Sequence, residues 1–196
     1  MTTLEHAVDP DLDEPRPEGV RPFVSVVVPA YNEALILMQS LTSLYAYLQA
    51  LSDDYEWEVV VVNDGSQDET GAIAEAFAGS RPEVRVLHHA VNFRLGQALR
   101  YAFNTCRGDY VVTIDCDLSY APEHIGLLLE RLREDHAKIA VASPYMKGGE
   151  TTGIPLGRRV LSRGANRFRS VASGGHLSLL TGMVRAYDRP FLSSLS

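Results

Sequence analysis

Five short apolar runs rich in β-branched residues recur along the chain, and longer segments with helical periodicity separate them. The runs show no clean alternation of apolar and polar residues, which is typical of strands buried on both faces of a parallel sheet. The predicted strands are residues 23–28, 58–62, 84–87, 110–114 and 139–142.

Four helices are predicted in the gaps, over residues 33–51, 68–77, 95–106 and 122–134. An apolar stripe runs along the first helix and includes Leu37, Leu41, Leu44 and Leu48. Ser66 or Asp68 is expected to cap the second helix, with Glu69 completing a capping box after Ser66. Alternation of strands and helices at this spacing predicts βαβ units, right-handed crossovers and a parallel sheet.

The two ends of the chain depart from this alternation. Residues 1–21 are rich in acids and prolines and predict a disordered lead, so residues 22–196 are expected to form a single domain. After strand five the sequence predicts a glycine-rich loop over 147–153, a basic amphipathic helix over 157–172, and one or two short strands within 177–187. The predicted fold class is therefore α/β: a Rossmann-like, mainly parallel sheet flanked by helices, with a short C-terminal region of mixed strands.

Composition narrows the classes of protein to which the chain can belong. Lys+Arg 18 against Asp+Glu 25 gives a net charge of -7, which disfavours a nucleic-acid partner. Two cysteines exclude a disulfide framework and favour a reducing, cytoplasmic compartment. No apolar run is long enough to span a bilayer, and the acidic first residues do not resemble a signal peptide.

The candidate chemistry lies directly after the strands, because open α/β sheets bind ligands at the carboxyl ends of their strands. Asp115 and Asp117 follow strand four and place two like charges close together. Such a pair needs a cation or a neutralising partner, and Mg²⁺ or Mn²⁺ that holds a diphosphate would supply this. Cys116 is expected to face away from the two aspartates and to pack in the core.

Several of these features have simpler interpretations that stay open. The segment 63–66 (Asn-Asp-Gly-Ser) is ordinary turn and capping chemistry when taken alone. The histidines are interpreted as structural or surface residues: His88, His89 and His176. The arginines of 158–169 are either a solvated helix face or a surface that meets anionic lipid.

Taken together, the segments after the strands resemble the family 2 inverting glycosyltransferases of GT-A fold. The segments that carry the resemblance are 26–33 (Val-Val-Val-Pro-Ala-Tyr-Asn-Glu), 60–68 (Val-Val-Val-Asn-Asp-Gly-Ser-Gln-Asp) and 115–119 (Asp-Cys-Asp-Leu-Ser). The segments 92–100, 148–149, 162–166 and 181–187 are similar to the dolichol- or polyprenyl-phosphate mannosyl- and glucosyltransferase branch.

The resemblance implies roles for particular residues. The nucleotide pocket would be lined by Pro29, Tyr31, Glu33, Asp64 and Asp115. Asp64 would accept a hydrogen bond from a ring N–H of the base, as uracil and guanine offer. Asp117 would bind the metal with help from Asp115, and Arg158 would join Asp117 in the catalytic machinery. Phosphate would be held by Arg158 and Ser162. Apart from the resemblance, Lys147 in the glycine-rich loop is expected to replace, on the phosphate, the charge that is missing at Pro144.

The resemblance also implies a reaction: transfer of a hexose from a GDP- or UDP-sugar to a polyprenyl phosphate, at the cytoplasmic face of a membrane. Three positions depart from the family pattern: Ser119, Pro144 and Leu179. These departures keep open a catalytically weak domain that binds a nucleotide or a partner without turnover. An Asp-x-Asp phosphatase is disfavoured because the motif follows strand four, and a dinucleotide oxidoreductase because no Gly-x-Gly-x-x-Gly follows strand one. The C-terminal part is expected to be short relative to the family.

Overall fold

A computed structural model of the protein describes residues 20–142 and 183–194. Within them the strands are β1 (Phe23–Ala30), β2 (Glu56–Asn63), β3 (Val84–His88), β4 (Tyr110–Thr113), β5 (Ile139–Val141) and β6 (Arg185–Asp188). The helices are α1 (Leu37–Ala50), α2 (Thr70–Ala78), α3 (Arg94–Phe103), α4 (His124–Glu134) and α5 (Arg189–Ser193).

The strands form a six-stranded sheet in the order β3-β2-β1-β4-β6-β5. β1 pairs in parallel with β2 and with β4, and β2 pairs in parallel with β3. β6 is antiparallel to both of its neighbours, β4 and β5. The prediction of a mainly parallel sheet with a mixed C-terminal region is confirmed. The strand order reverses between β1 and β4, which is where open α/β sheets form a ligand crevice.

The central strand β1 explains why the apolar runs do not alternate. Val26 and Val28 pack into one core cluster with α1 and α4, while Val27 packs into a second cluster with α3. Helices therefore cover both faces of this strand, and the consecutive side chains of residues 24–28 are all buried. On α1 the predicted stripe is confirmed, since Leu37, Leu41, Leu44 and Leu48 are each at most 1% exposed.

Two predicted helix starts are wrong. The first helix begins at Leu37 rather than Glu33, because the carbonyl of Glu33 instead accepts the N–H groups of Ile36 and Leu37 in a preceding turn. The second begins at Thr70 rather than residue 68. The expected capping box is absent from this described segment, but Asp68 Oδ1 accepts the N–H of Thr70 at 3.0 Å, so Asp68 caps the start of the helix. Ser66 Oγ is instead used by the loop that follows β1.

The remaining elements differ from their predictions by a few residues at their ends. α3 ends at Phe103 and α4 begins at His124. The predicted lead up to residue 19, the loop over 147–153 and the helix over 157–172 lie outside the described residues. No helix in the described segments has the length and hydropathy needed to cross a membrane.

Candidate active site

Four loops meet at the carboxyl edge of the parallel strands, in front of the strand-order reversal. They cover residues 31–36 after β1, 64–69 after β2, 89–93 after β3 and 114–120 after β4. The register aligns the strand ends, with Ala30 opposite Asn63 and Asn63 opposite His88. Parallel pairing therefore places the polar residues after each strand side by side.

Hydrogen bonds join the loop after β1 to the loop after β2. The backbone N–H of Asn32 donates to Ser66 Oγ at 3.0 Å, and Asn32 Oδ1 accepts the N–H of Gln67 at 2.9 Å. The backbone N–H of Glu33 donates to Thr70 Oγ1 at 2.8 Å. Asn32 adopts a left-handed φ of 56°, a conformation that asparagine tolerates better than most residues. The two loops consequently form one connected wall of the crevice.

The aspartates after β4 form the opposite wall. Asp115 is half-buried and Asp117 is exposed, and the backbone N–H of Ser119 donates to Asp117 Oδ1 at 2.9 Å. Leu118, between Asp117 and Ser119, has a left-handed φ of 48°. That conformation is unfavourable for leucine, and such backbone strain is concentrated at functional sites. Cys116 is 5% exposed and belongs to the core, as predicted.

Glu33 adds a third carboxylate to these two. Burial, then the charges of Asp117 and Asp68, raise the pKa of Glu33. Burial and the charge of Asp117 likewise raise the pKa of Asp115. Burial, followed by the charges of Glu33 and the two aspartates, raises the pKa of the Cys116 thiol to about 12. Among the described residues, the crevice therefore holds negative charge that no lysine or arginine pairs with.

The donor set fits a hard divalent cation. In the described part of the chain, no lysine or arginine forms a salt bridge with Asp115 or Asp117. The same part of the chain contains no group of three or more His, Cys, Asp or Glu arranged to enclose a metal. Mg²⁺ and Mn²⁺ are commonly held by one or two carboxylates together with substrate phosphates. Asp117 with Asp115 is such an incomplete set, which a diphosphate would complete.

Asp64 lies at the end of β2, which is on the opposite side of β1 from β4 and its two aspartates. Its side chain is 6% exposed, and its Oδ1 accepts two hydrogen bonds: from His89 Nδ1 at 2.6 Å and from the backbone N–H of Phe93 at 3.0 Å. Its own N–H donates to the carbonyl of Ala30 at 3.0 Å. The residue is therefore held rigidly beside the end of β1.

The other predicted site residues are placed as follows. Pro29 is half-buried near the end of β1. It lies beyond the last residue of β1 that pairs with β4, so the N–H that proline lacks is not needed for a hydrogen bond to β4. Tyr31, the next residue but one, is 42% exposed at the mouth of the crevice. The predicted phosphate-binding residues lie outside the described residues: Lys147, Arg158 and Ser162.

Sequence reasoning missed the contacts of two histidines. His89 bonds directly to Asp64, while His88 Nδ1 lies 3.0 Å from Asn63 Nδ2 and its Nε2 lies 2.9 Å from Glu75 Oε1. Through these contacts both histidines support the loop that carries Asp64. The contact between His89 and Asp64 could have been predicted from the position of His89 directly after β3. Because β3 pairs with β2, residue 89 must lie near residue 64.

A cavity of ≈ 880 Å³ lies at the opposite, amino edge of the sheet. Its lining includes Tyr55 and Tyr110, together with charged groups of which some pair with a neighbour. Arg133 donates to the Tyr55 hydroxyl at 3.2 Å, and Lys138 pairs with Asp188 at 2.8 Å. This cavity lies away from the crevice residues and contributes nothing to their chemistry.

Known proteins are similar to this chain in sequence and in fold. Polyprenol monophosphomannose synthase from Mycolicibacterium smegmatis is 32% identical over 185 residues, covering 91% of this chain and 67% of the relative. Four other curated relatives are matched over only 23% to 50% of their own length. The chain thus spans about half the length, or less, of most of the curated relatives described.

Two solved structures share the fold. One is a mannosyltransferase from Pyrobaculum calidifontis with GDP-Man and Mn²⁺, with a TM-score of 0.61, 23% identity, and coverage of 91% of this chain and 48% of that chain. The other is glucosyl-3-phosphoglycerate synthase from Mycobacterium tuberculosis with Mn²⁺, UDP and phosphoglyceric acid, with a TM-score of 0.59, 26% identity, and coverage of 86% and 56%. The first likeness concerns the fold alone.

The family assignment rests on a match that covers most of the chain. The sequence model of Glycosyl transferase family 2 matches residues 25–195, a range that includes every site residue discussed above. The sheet order, the carboxylates at the strand-order reversal and this match agree with one another. The chain belongs to glycosyl transferase family 2.

Proposed function

We propose that the protein is a glycosyltransferase that moves a hexose, of mannose or glucose type, from a nucleoside diphosphate sugar to a polyprenyl phosphate. The family membership supports a nucleotide-sugar donor, and the relative named polyprenol monophosphomannose synthase supports the acceptor. Mn²⁺ accompanies the nucleotide in both solved structures of similar fold, which supports a divalent metal. Either Mg²⁺ or Mn²⁺ is compatible with a site of carboxylate oxygens.

The observation that carries the proposal is the unneutralised charge of the crevice. Burial and the charge of Asp117 raise the pKa of both Glu33 and Asp115, and neither Asp115 nor Asp117 pairs with a lysine or arginine among the described residues. A divalent cation with a diphosphate would relieve this repulsion, and the cation would stabilise negative charge on the departing nucleoside diphosphate. Asp117, the more exposed of the two aspartates, is proposed as the metal ligand, with Asp115 assisting beside the ribose and diphosphate.

A lipid phosphate acceptor would need no dedicated general base. A polyprenyl phosphate is already anionic at neutral pH, so its attack requires no strong base. We place Arg158, Ser162 and Lys147 on the phosphates of the donor, as cations and hydroxyls suit that charge. Because the acceptor is a lipid, peripheral contact with the cytoplasmic face of a membrane is part of the proposal, with Arg159 meeting anionic lipid.

Asp117→Asn tests the proposal. It removes one carboxylate charge at nearly constant volume, and should weaken the Mn²⁺-dependent affinity for nucleoside diphosphates by at least about 100-fold. Asp53→Asn, on an exposed turn after α1, is the matched control and should leave that affinity unchanged. Isothermal titration with and without Mn²⁺ measures both variants, and the unfolding temperature shows that each retains its fold.

A transfer assay separates catalysis from binding. Sugar should move from a radiolabelled UDP- or GDP-hexose into an extractable polyprenyl phosphate, and Asp117→Asn should abolish that transfer. Metal-dependent binding without transfer from any tested donor would show instead a domain that binds nucleotide without turnover. Equal nucleotide affinity in Asp117→Asn and wild type would overturn the metal assignment itself.

A further inference from the structure

The two carboxylate oxygens of Asp64 differ sharply in their hydrogen bonding. Oδ1 accepts from both His89 Nδ1 and the backbone N–H of Phe93. Oδ2 accepts none of the hydrogen bonds formed by the described residues, although the side chain is only 6% exposed. A carboxylate oxygen has about two lone-pair sites, so Oδ1 is saturated. An oxygen without a donor, on a side chain that is nearly buried, is unfavourable until a ligand supplies a donor.

The arrangement around His89 is rigid, so Oδ1 is not easily released. The His89 ring stacks on Tyr101, with 5.1 Å between centroids and 17° between planes, and meets the Phe93 ring edge-on at 5.1 Å. Because an ionised carboxylate only accepts hydrogen bonds, His89 Nδ1 must carry the hydrogen of this contact.

The backbone next to Asp64 is equally constrained. Gly65 has φ +68, and a Cβ at this position would lie 2.2 Å from the carbonyl carbon of Val91. Only glycine lets the two loops approach this closely. The backbone that carries Asp64 is therefore fixed, and the two hydrogen bonds to Oδ1 hold the carboxylate itself.

This asymmetry distinguishes between nucleotide bases. Uracil presents one ring N–H to a carboxylate, whereas guanine presents its ring N–H and an adjacent amino group, which together match two carboxylate oxygens. With Oδ1 of Asp64 occupied, guanine would bury one donor unpaired, and an unpaired buried donor weakens binding by about tenfold or more.

We infer that Asp64, with one oxygen occupied by His89 and Phe93, selects uridine over guanosine diphosphate sugars. The inference rests on the proposed function, since it assigns Asp64 to the base of the donor. His89 acts in it as a specificity-determining residue that does not itself touch the base.

The experiment compares UDP with GDP on the full chain in the presence of Mn²⁺, by isothermal titration. Wild type should bind UDP at least about tenfold more tightly than GDP. His89→Phe keeps a ring to stack on Tyr101 but removes the donor to Oδ1, and should reduce the UDP-to-GDP preference by about fivefold or more. His89→Asn places an amide N–H near the position of Nδ1 and should restore the preference.

His88→Phe is the matched control for the neighbouring histidine. His88 contacts Asn63 rather than Asp64, so this variant should change both affinities by the same factor. Equal or tighter binding of GDP by wild type would overturn the inference, as would an unchanged preference in His89→Phe. If His89→Phe fails to fold, the UDP-to-GDP preferences of wild type and of His89→Asn still test the inference. If neither UDP nor GDP binds, the proposed function is contradicted. That result differs from binding of both without a preference for UDP, which contradicts only the inference about Asp64.

Discussion

At the amino edge of the sheet, Glu58 is fully buried and yet fully paired, whereas at the carboxyl edge Asp115 and Asp117 have no basic partner among the described residues. Glu58 Oε2 accepts from Arg85 Nε at 2.9 Å and from Arg107 Nη2 at 2.8 Å. Its Oε1 accepts from Ser25 Oγ at 2.6 Å and from the backbone N–H of Arg107 at 3.0 Å.

The pKa of Glu58 at the amino edge and the pKa of Asp115 at the carboxyl edge shift in opposite directions. Burial by itself would raise the pKa of Glu58, but hydrogen bonds from Arg85, Ser25 and Arg107 outweigh it, so the pKa is lowered. At the other edge burial and a neighbouring like charge raise the pKa of Asp115. A buried carboxylate whose charge is balanced by arginines stabilises the folded protein. A carboxylate whose pKa stays raised is instead available to bind a cation.

Removal of one arginine from the amino edge should have the largest effect on stability. Arg107→Met leaves the buried Glu58 charge only partly paired and should lower the free energy of unfolding by about 3 kcal/mol. Arg131→Met is the control, because its ion pair with Glu134 is on the surface and contributes less than about 0.5 kcal/mol. Urea denaturation measures both. Similar losses in the two variants would contradict the claim that the amino edge depends on its buried pair.

Glu58→Gln should give a smaller, pH-dependent effect. At pH 7 it should lower the free energy of unfolding by about 1–2 kcal/mol, because charge-assisted hydrogen bonds become neutral ones. The folded pKa of Glu58 lies below its ordinary value, so its contribution is present above that value and is lost as the pH falls through the folded pKa. The difference between wild type and variant should therefore shrink on acidification. A difference that is constant from pH 7 to about pH 3 would argue against the pairing.

Asp115→Asn should have the smallest effect and the opposite sign. Without metal, it removes a half-buried charge that Asp117 repels, and should raise the free energy of unfolding by up to about 1 kcal/mol at pH 7. The same variant should bind nucleotide and Mn²⁺ less tightly than wild type. Asp53→Asn serves again as the control, measured in the same denaturation series. A loss of stability in Asp115→Asn would mean that the carboxyl edge is already compensated.

The local sequence pattern was sufficient to predict the main strands and helices among the described residues, and the edge of the sheet at which the proposed site residues of those segments lie. Valine-rich runs and helical periodicity located the parallel strands, since burial on both faces requires uninterrupted apolar residues. The aspartates after β4 followed from the rule that ligands bind beyond the carboxyl ends of such strands. The roles of Asp64, Asp117 and Arg158 remain predictions, as do those of the other proposed site residues.

Tertiary structure alone decided which distant residues meet. The antiparallel insertion of β6 between β4 and β5 joins segments separated by the whole region between residues 142 and 183. The pairing of Glu58 with Arg107 and of Asp64 with His89 likewise depends on strand order and register. Periodicity reports which face of an element is buried, but it carries no information on which other element covers that face. That choice depends on the free energy of the complete packed sheet, in which each buried charge and hydrogen-bonding group must find its partner.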